Sequence, residues 1–248
     1  MKKTTLAGAI ALSLLSTAAT ADTLGFRVGA NSWQQNFSGD IQSGNAGTIV
    51  DMEDTLGFDD ETNNNFYIAL EHPVPLVPNV MLARTEMEIN ANSNSSFNFD
   101  GVDYTSNIKA TADLSHTDAT LYYEILDNWV SLDIGFTVRA FDEGFSISGT
   151  AGGTTESSDF DVDVVLPMIY VGARFELPLS GLYLRASGNG ISYDGDSILD
   201  YQAAIGYEHD LGLGVEAGYR SFEIDYEDGD ESADLTIDGA FLGVFYHF

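Results

Sequence analysis

From Asp22 to the C-terminal Phe248, apolar residues recur at every second position, in short runs separated by clusters of Gly, Asn, Asp and Pro. That period belongs to extended backbone, because successive side chains of a strand leave opposite faces. Ten runs follow the rule. They begin with Leu24-Phe26-Val28-Ala30, Phe66-Ile68-Leu70 and Met81-Ala83-Thr85-Met87-Ile89. Next come Ala119 to Ile125, Val130 to Val138, Ile169 to Leu177, Leu182 to Ala186, Tyr201 to Tyr207 and Leu213 to Tyr219, and the last is Ala240-Leu242-Val244-Tyr246-Phe248. Alternation alone suits a soluble β-sandwich as well as a barrel.

Residues 1–21 have the form of an export signal: Lys2 and Lys3, an apolar stretch from Leu6 to Leu15, and the small-residue site Ala19-Thr20-Ala21. The expected organisation is a cleaved signal at 1–21 followed by one domain over 22–248. No later stretch reaches the roughly 18 apolar residues of a membrane-spanning helix, so a membrane location requires a barrel. With 39 acidic against 9 basic residues the formal charge is -30, which repels phosphate and excludes a nucleic-acid partner. The absence of cysteine excludes a disulfide framework and a thiolate zinc site.

The links between runs are asymmetric. After even-numbered runs they are short or proline-rich: 72–78, 127–128, 178–181 and 210–212. After odd-numbered runs they are mostly long and polar: about 37–62, 93–105, 142–160 and 227–232, with 194–197 as the short exception. Short turns on one side and long loops on the other predict an all-β, antiparallel up-and-down transmembrane barrel, with both termini periplasmic. Ten strands are expected, with eight or twelve as alternatives. Ile108, Ala110, Ala112 and Leu114 sit on the parity opposite to Leu121 and Tyr123, which implies a bulge or a change of environment above the membrane. Pro167 belongs at an edge, a strand start or a bulge.

Gly239 to Phe248 ends in Phe with apolar residues at every second position back, and resembles the terminal strand of bacterial outer-membrane barrels. Together with the signal and the alternation, the whole mature chain is similar to uncharacterised proteobacterial outer-membrane β-barrel proteins of about this length. The resemblance implies a Gram-negative outer membrane, lipid as a neighbour, and the barrel insertion machinery as a partner of the last strand. It implies no activity and no cofactor.

If the apolar parity meets lipid, the other parity faces the lumen, and all six arginines fall on it. The expected lumen charge network comprises Arg27, Arg84, Glu86, Glu88, Asp118, Asp133, Arg139, Arg174, Glu176, Arg185, Glu216 and Arg220. Glu71, Glu124, Asp200 and Glu208 share that parity, as do Tyr67, Tyr170 and Tyr183. Arginine forks and carboxylates satisfy one another in a narrow interior, giving a polar core. The alternative is a narrow cation-preferring path for ions or small solutes. In-strand glycines such as Gly29, Gly206 and Gly214 are expected where aromatic neighbours crowd a curved wall.

Residues 40–62, 142–163 and 223–238 hold seven, six and eight acids and no Lys or Arg. Such loops solvate an exposed rim, or gather divalent cations weakly. Asp225 to Asp230 looks calcium-like, but its glycine is one place early for an EF-hand. The ten-stranded outer-membrane proteases resemble the chain in strand count, yet their Asp-His pair has no counterpart, since no Asp-x-His occurs. A lipid-modifying acyl hydrolase needs a Ser near a His, and adjacent Ser115 and His116 point to opposite faces of a regular strand. The expected role is therefore structural or surface interaction, without an enzymatic centre.

Overall fold

The computed structural model describes residues 24–44 and 47–248, so the export-signal assignment lies outside the described residues. Numbered along the chain, ten strands form the wall: β1 (Gly25–Gln42), β3 (Glu61–Glu71), β4 (Asn79–Thr85), β8 (His116–Asp127), β9 (Val130–Ala151), β10 (Thr154–Glu176), β11 (Leu182–Tyr193), β12 (Asp196–Glu208), β13 (Leu213–Asp228) and β14 (Glu231–His247). Each pairs antiparallel with the next, and β14 pairs with β1 to close the ring. These ten correspond one for one to the ten alternating runs. Phe26 and Phe248 exchange backbone hydrogen bonds of 2.8 and 2.9 Å, so the start of β1 and the end of β14 meet at the same end of the barrel as the short turns.

Every wall strand turns at least one large apolar side chain outward: Val28, Phe66, Leu82, Leu121, Phe136, Ile169, Leu184, Ile205, Val215 and Leu242 are each 44 to 69% exposed. A continuous apolar belt of this kind far exceeds the few hundred Å² that a soluble monomer leaves uncovered. Tyrosines mark its margins, with rings against the belt and hydroxyls reaching away from it. Tyr123 donates to the Leu76 carbonyl in the first short turn (2.9 Å). Tyr201 and Tyr219 donate toward the opposite rim, to Glu223 (3.0 Å) and Asp238 (2.8 Å).

The long polar links prove to be largely strand. β9 and β10 continue to a hairpin at Gly152 and Gly153, both at positive φ, and β13 and β14 continue to a two-residue turn at Gly229-Asp230. The calcium-like Asp225 to Asp230 segment is thus the tip of a hairpin. Four further strands stand outside the wall: β2 (Val50–Asp51), β5 (Glu88–Ser93), β6 (Phe97–Phe99) and β7 (Val102–Asp113). β5 and β6 pair with β7, and β7 pairs with the upper part of β9. The parity change at 106–115 is therefore a change of environment, and the wall still counts ten. Above Ile169, β10 has β9 on one side and, among the described residues, no strand on the other. Pro167 lies on that open stretch, where a missing ladder donor costs least.

The run 81–89 faces opposite to expectation. Leu82 and Arg84 lie on the outer face with Val80, while Met81, Ala83 and Thr85 line the interior, and Glu86 and Glu88 are exposed. The reason is a second apolar environment. Inside the rim half of the barrel, Trp33, Phe37, Met87, Ile147, Phe222 and Ile237 form a buried core with Ile89 and Ile108 from the β5–β7 excursion and Met52, Leu56 and Phe58 from the segment after β2. Met87 and Ile89 are apolar for this core and not for lipid.

On the lumen side, aromatic rings lie flat over glycines of the neighbouring strand: Tyr67 over Gly29, Tyr183 over Gly206, Phe245 over Gly214. A Cβ at Gly29 would stand 2.5 Å from the Tyr67 ring, whereas one at Gly25 would meet nothing closer than 3.5 Å. Gly29→Ala is expected to cost about 1–3 kcal/mol by forcing the ring off its seat, and Gly25→Ala less than about 0.5 kcal/mol. Thermal unfolding of the two variants in detergent, followed by heat-modifiable gel mobility, checks the contrast.

Candidate functional site

The lumen changes character along its axis. Toward the termini it is a polar cavity of about 1180 Å³, reaching the short turns at Pro178-Leu179 and Asp210-Leu211. Toward the rim it is filled by the apolar core. A single charged layer separates the two.

That layer is built on Arg139 of β9, whose side chain has no solvent exposure. Its Nε and Nη2 donate to the two oxygens of Asp118 on β8 at 2.8 and 2.7 Å, a bidentate fork, and Nη2 also reaches Asp200 on β12 at 2.6 Å. Arg220 of β13 makes the second fork to Asp200, at 2.8 and 2.7 Å, and donates to Thr85 on β4 at 3.3 Å. Two guanidiniums and two carboxylates thus neutralise one another across the barrel. Their rim-side neighbours are aromatic, since Arg220 lies 4.7 Å from the Trp33 ring and Arg139 5.6 Å from the Phe222 ring. Just above, His116 on β8 and Phe222 on β13, strands on opposite sides of the ring, stack at 5.8 Å. The two rings bring opposite walls into contact at this level.

Nearer the opening, Arg185 forks onto Glu216 at 2.8 and 2.6 Å. Arg174 donates to Glu176 (3.1 Å) and Glu208 (2.9 Å) with its guanidinium 3.6 Å over the Tyr183 ring, and Arg27 approaches Glu208 at 3.7 Å. Of the expected network, the structure therefore brings Arg27, Asp118, Arg139, Arg174, Glu176, Arg185, Glu216 and Arg220 inward and into ion pairs, and places Asp133 on the cavity wall. It does not bring in Arg84, Glu86 or Glu88. Arg84 donates to Thr117 on the outer face at 3.3 Å, and Glu86 accepts from Asn64 at 3.4 Å, because β4 carries its odd-numbered residues inward. Asp200 and Glu208 share the inward parity and become central through their partners, Asp200 through Arg220 of the adjacent β13 and Arg139 of β9, Glu208 through Arg174 of β10 and Arg27 of β1. His116, Trp33 and Phe222 form the closure with no sequence signal beyond their inward parity.

His116, Asp118 and Asp200 offer ligand atoms within 4.8 Å of one another. The arginine forks already engage the two carboxylates, and Nδ1 of His116 is 2.9 Å from the Leu114 carbonyl, while its Nε2 is buried without a hydrogen-bond partner among the described residues. Ser115 Oγ accepts the Met87 N–H at 2.9 Å, and Ser115 and His116 make no nucleophile–base pair. The other histidines lie near the opening, His72 beside Pro78 (3.1 Å) and His247 beside Glu208 (3.0 Å).

No protein-family model matches the chain, and no curated protein matches it. Solved structures do. The outer membrane protease OmpT from Escherichia coli aligns with a TM-score of 0.50 and 10% identity, over 95% of this chain and 100% of that one. Neisserial surface protein A gives 0.34 and 12% over 92% and 100%, and a Pseudomonas aeruginosa FadL homologue gives 0.38 and 10% over 92% and 90%. At such identity the likeness to OmpT is one of fold.

Arg139→Ala strands Asp118 and half of the Asp200 environment in a buried layer, and is expected to lower stability by about 3–5 kcal/mol. Arg84→Ala on the outer face is expected to change it by less than about 1 kcal/mol. Denaturant unfolding of both variants in micelles tests the assignment of the two arginines to opposite faces of the wall.

Proposed function

We propose that this chain is an integral outer-membrane barrel whose sealed lumen passes no solute, and whose role is structural or exerted through its rim. The apolar belt edged by tyrosines supports immersion in lipid, and the short turns beside the termini support a periplasmic position for that end. Docking of the last strand by the insertion machinery fits the outward row Leu242, Val244, Tyr246 and Phe248. The observation that carries the reading is the contact of opposite walls through His116 and Phe222, directly above the arginine–carboxylate layer. A path for hydrated ions needs a continuous aqueous column, and here the column ends against paired charges and then an apolar core.

The chain from Asp22 to Phe248, folded and inserted in a planar bilayer, is expected to give no steady current at any salt concentration. The Trp33→Ala/Phe222→Ala variant, which removes the rings packed on the charged layer, is expected to leak. Stable openings in the unsubstituted protein would sink the sealed-barrel reading in favour of a channel.

A further inference from the structure

The hairpin of β9 and β10 rises above the apolar belt with one edge uncovered. β10 pairs with β9 from Thr154 to Phe175 without a register shift, whereas β11 accompanies it only from Ile169 to Glu176. Backbone groups along a strand point alternately to its two sides. The Glu176 N–H donates to the Trp129 carbonyl on the β9 side, and the Leu177 N–H donates to the Leu182 carbonyl on the β11 side, each at 2.8 Å. Even-numbered residues of β10 therefore bond to β9. The N–H and C=O groups of Thr155, Ser157, Asp159, Asp161, Asp163 and Val165 point to the other side, where no strand lies among the described residues. Pro167 belongs to the same odd-numbered set, so the donor it lacks is one on the open side, and the ladder with β9 is intact. Sheet edges are usually short, bulged or covered, and this one is long and regular.

The two faces of the edge differ in chemistry. On the outward face Asp159 and Asp163 are exposed, and the whole hairpin from 140 to 173 contains no Lys or Arg. On the opposite face, the one that carries buried Met168 and Tyr170 lower down, Phe160 remains 51% and Val164 36% exposed. A strand added to the edge would satisfy the free backbone row and set its own side chains beside these two faces. Cations would meet the aspartates, and apolar side chains would meet Phe160 and Val164. An acidic strand is repelled, and an inorganic cation uses the carboxylates but not the backbone row or the apolar face.

We infer that the open edge of β10 binds an extended peptide segment in which Lys or Arg alternates with apolar residues, added as one more strand of the sheet. The inference deepens the rim role proposed above and rests on it, but binding in micelles and current in a bilayer are separate measurements, so either can fail alone. The probe is acetyl-Lys-Val-Lys-Thr-Lys-Val-Lys-Thr-Lys-amide, titrated calorimetrically into the purified protein in detergent at about 0.15 M salt, which screens diffuse attraction. It is expected to fill one saturable site with Kd below about 0.1 mM, and a peptide of the same composition with its lysines in one block to bind at least about tenfold more weakly. Ser157→Pro removes a donor on the open side while leaving the ladder with β9, and is expected to weaken binding at least about tenfold. Thr155→Pro gives the same readout should that variant not fold. Asp159→Asn/Asp163→Asn is also expected to weaken binding, and Asp228→Asn/Asp230→Asn, an equal charge change at the tip of the β13–β14 hairpin, to leave it unchanged. No saturable binding, equal binding of the block peptide, or an affinity indifferent to the proline variants overturns the inference. So does a dimer of the unliganded protein that the proline variants abolish, since a second copy would then be the occupant of the edge.

Discussion

The forks that Arg139 and Arg220 make onto Asp118 and Asp200 are the constraint around which the interior is organised. Removing two guanidiniums and two carboxylates from water is costly, and only near-complete mutual hydrogen bonding offsets it. The strands that supply these groups are fixed accordingly, since a one-residue slip of β9, β12 or β13 would send a charge to the outer face. The layer also lets two incompatible fillings coexist in one tube. Its carboxylates line the polar cavity, and the guanidinium faces rest against Trp33 and Phe222, so the transition from polar to apolar takes place within one tier of side chains.

Below that tier, the curvature of the wall depends on glycine paired with a ring. Tyr67, Tyr183 and Phe245 cover the backbone where Gly29, Gly206 and Gly214 leave space, which lets the rings fill the lumen without pushing neighbouring strands apart. Tyr183 then serves twice, as cover for Gly206 and as the platform under the Arg174 guanidinium, with its hydroxyl on Glu216 (3.1 Å). Packing and electrostatics at the opening are therefore not separable.

Much of this was legible in the sequence. The period of two located all ten wall strands and the outward residues of every one but β4, and five of six arginines took the predicted inward face. The failures share one cause. Parity tells which residues share a face, but the inference from apolar to lipid-facing assumes that lipid is the only apolar surrounding. At Met87 and Ile89 the apolar surrounding is the core inside the rim, so Arg84 came out on the wrong side. The ion pairs across the lumen were legible only as a set of available partners. Which arginine meets Asp200 depends on shear and tilt around the ring, a three-dimensional quantity that no local spacing encodes.

The open stretch of β10 above Ile169 has its own consequence. An unpaired row of backbone donors and acceptors is a template for adding a strand, and in a crowded bilayer the commonest candidate is another copy of the same protein, held in a plane and already oriented. Glu156, Asp159 and Asp163 lie along this stretch and Pro167 stands at its base. Two such edges brought together would juxtapose only negative charge, and the proline would interrupt the ladder just where it approached the wall. The acidity of this stretch therefore disfavours edge-to-edge pairing between two copies.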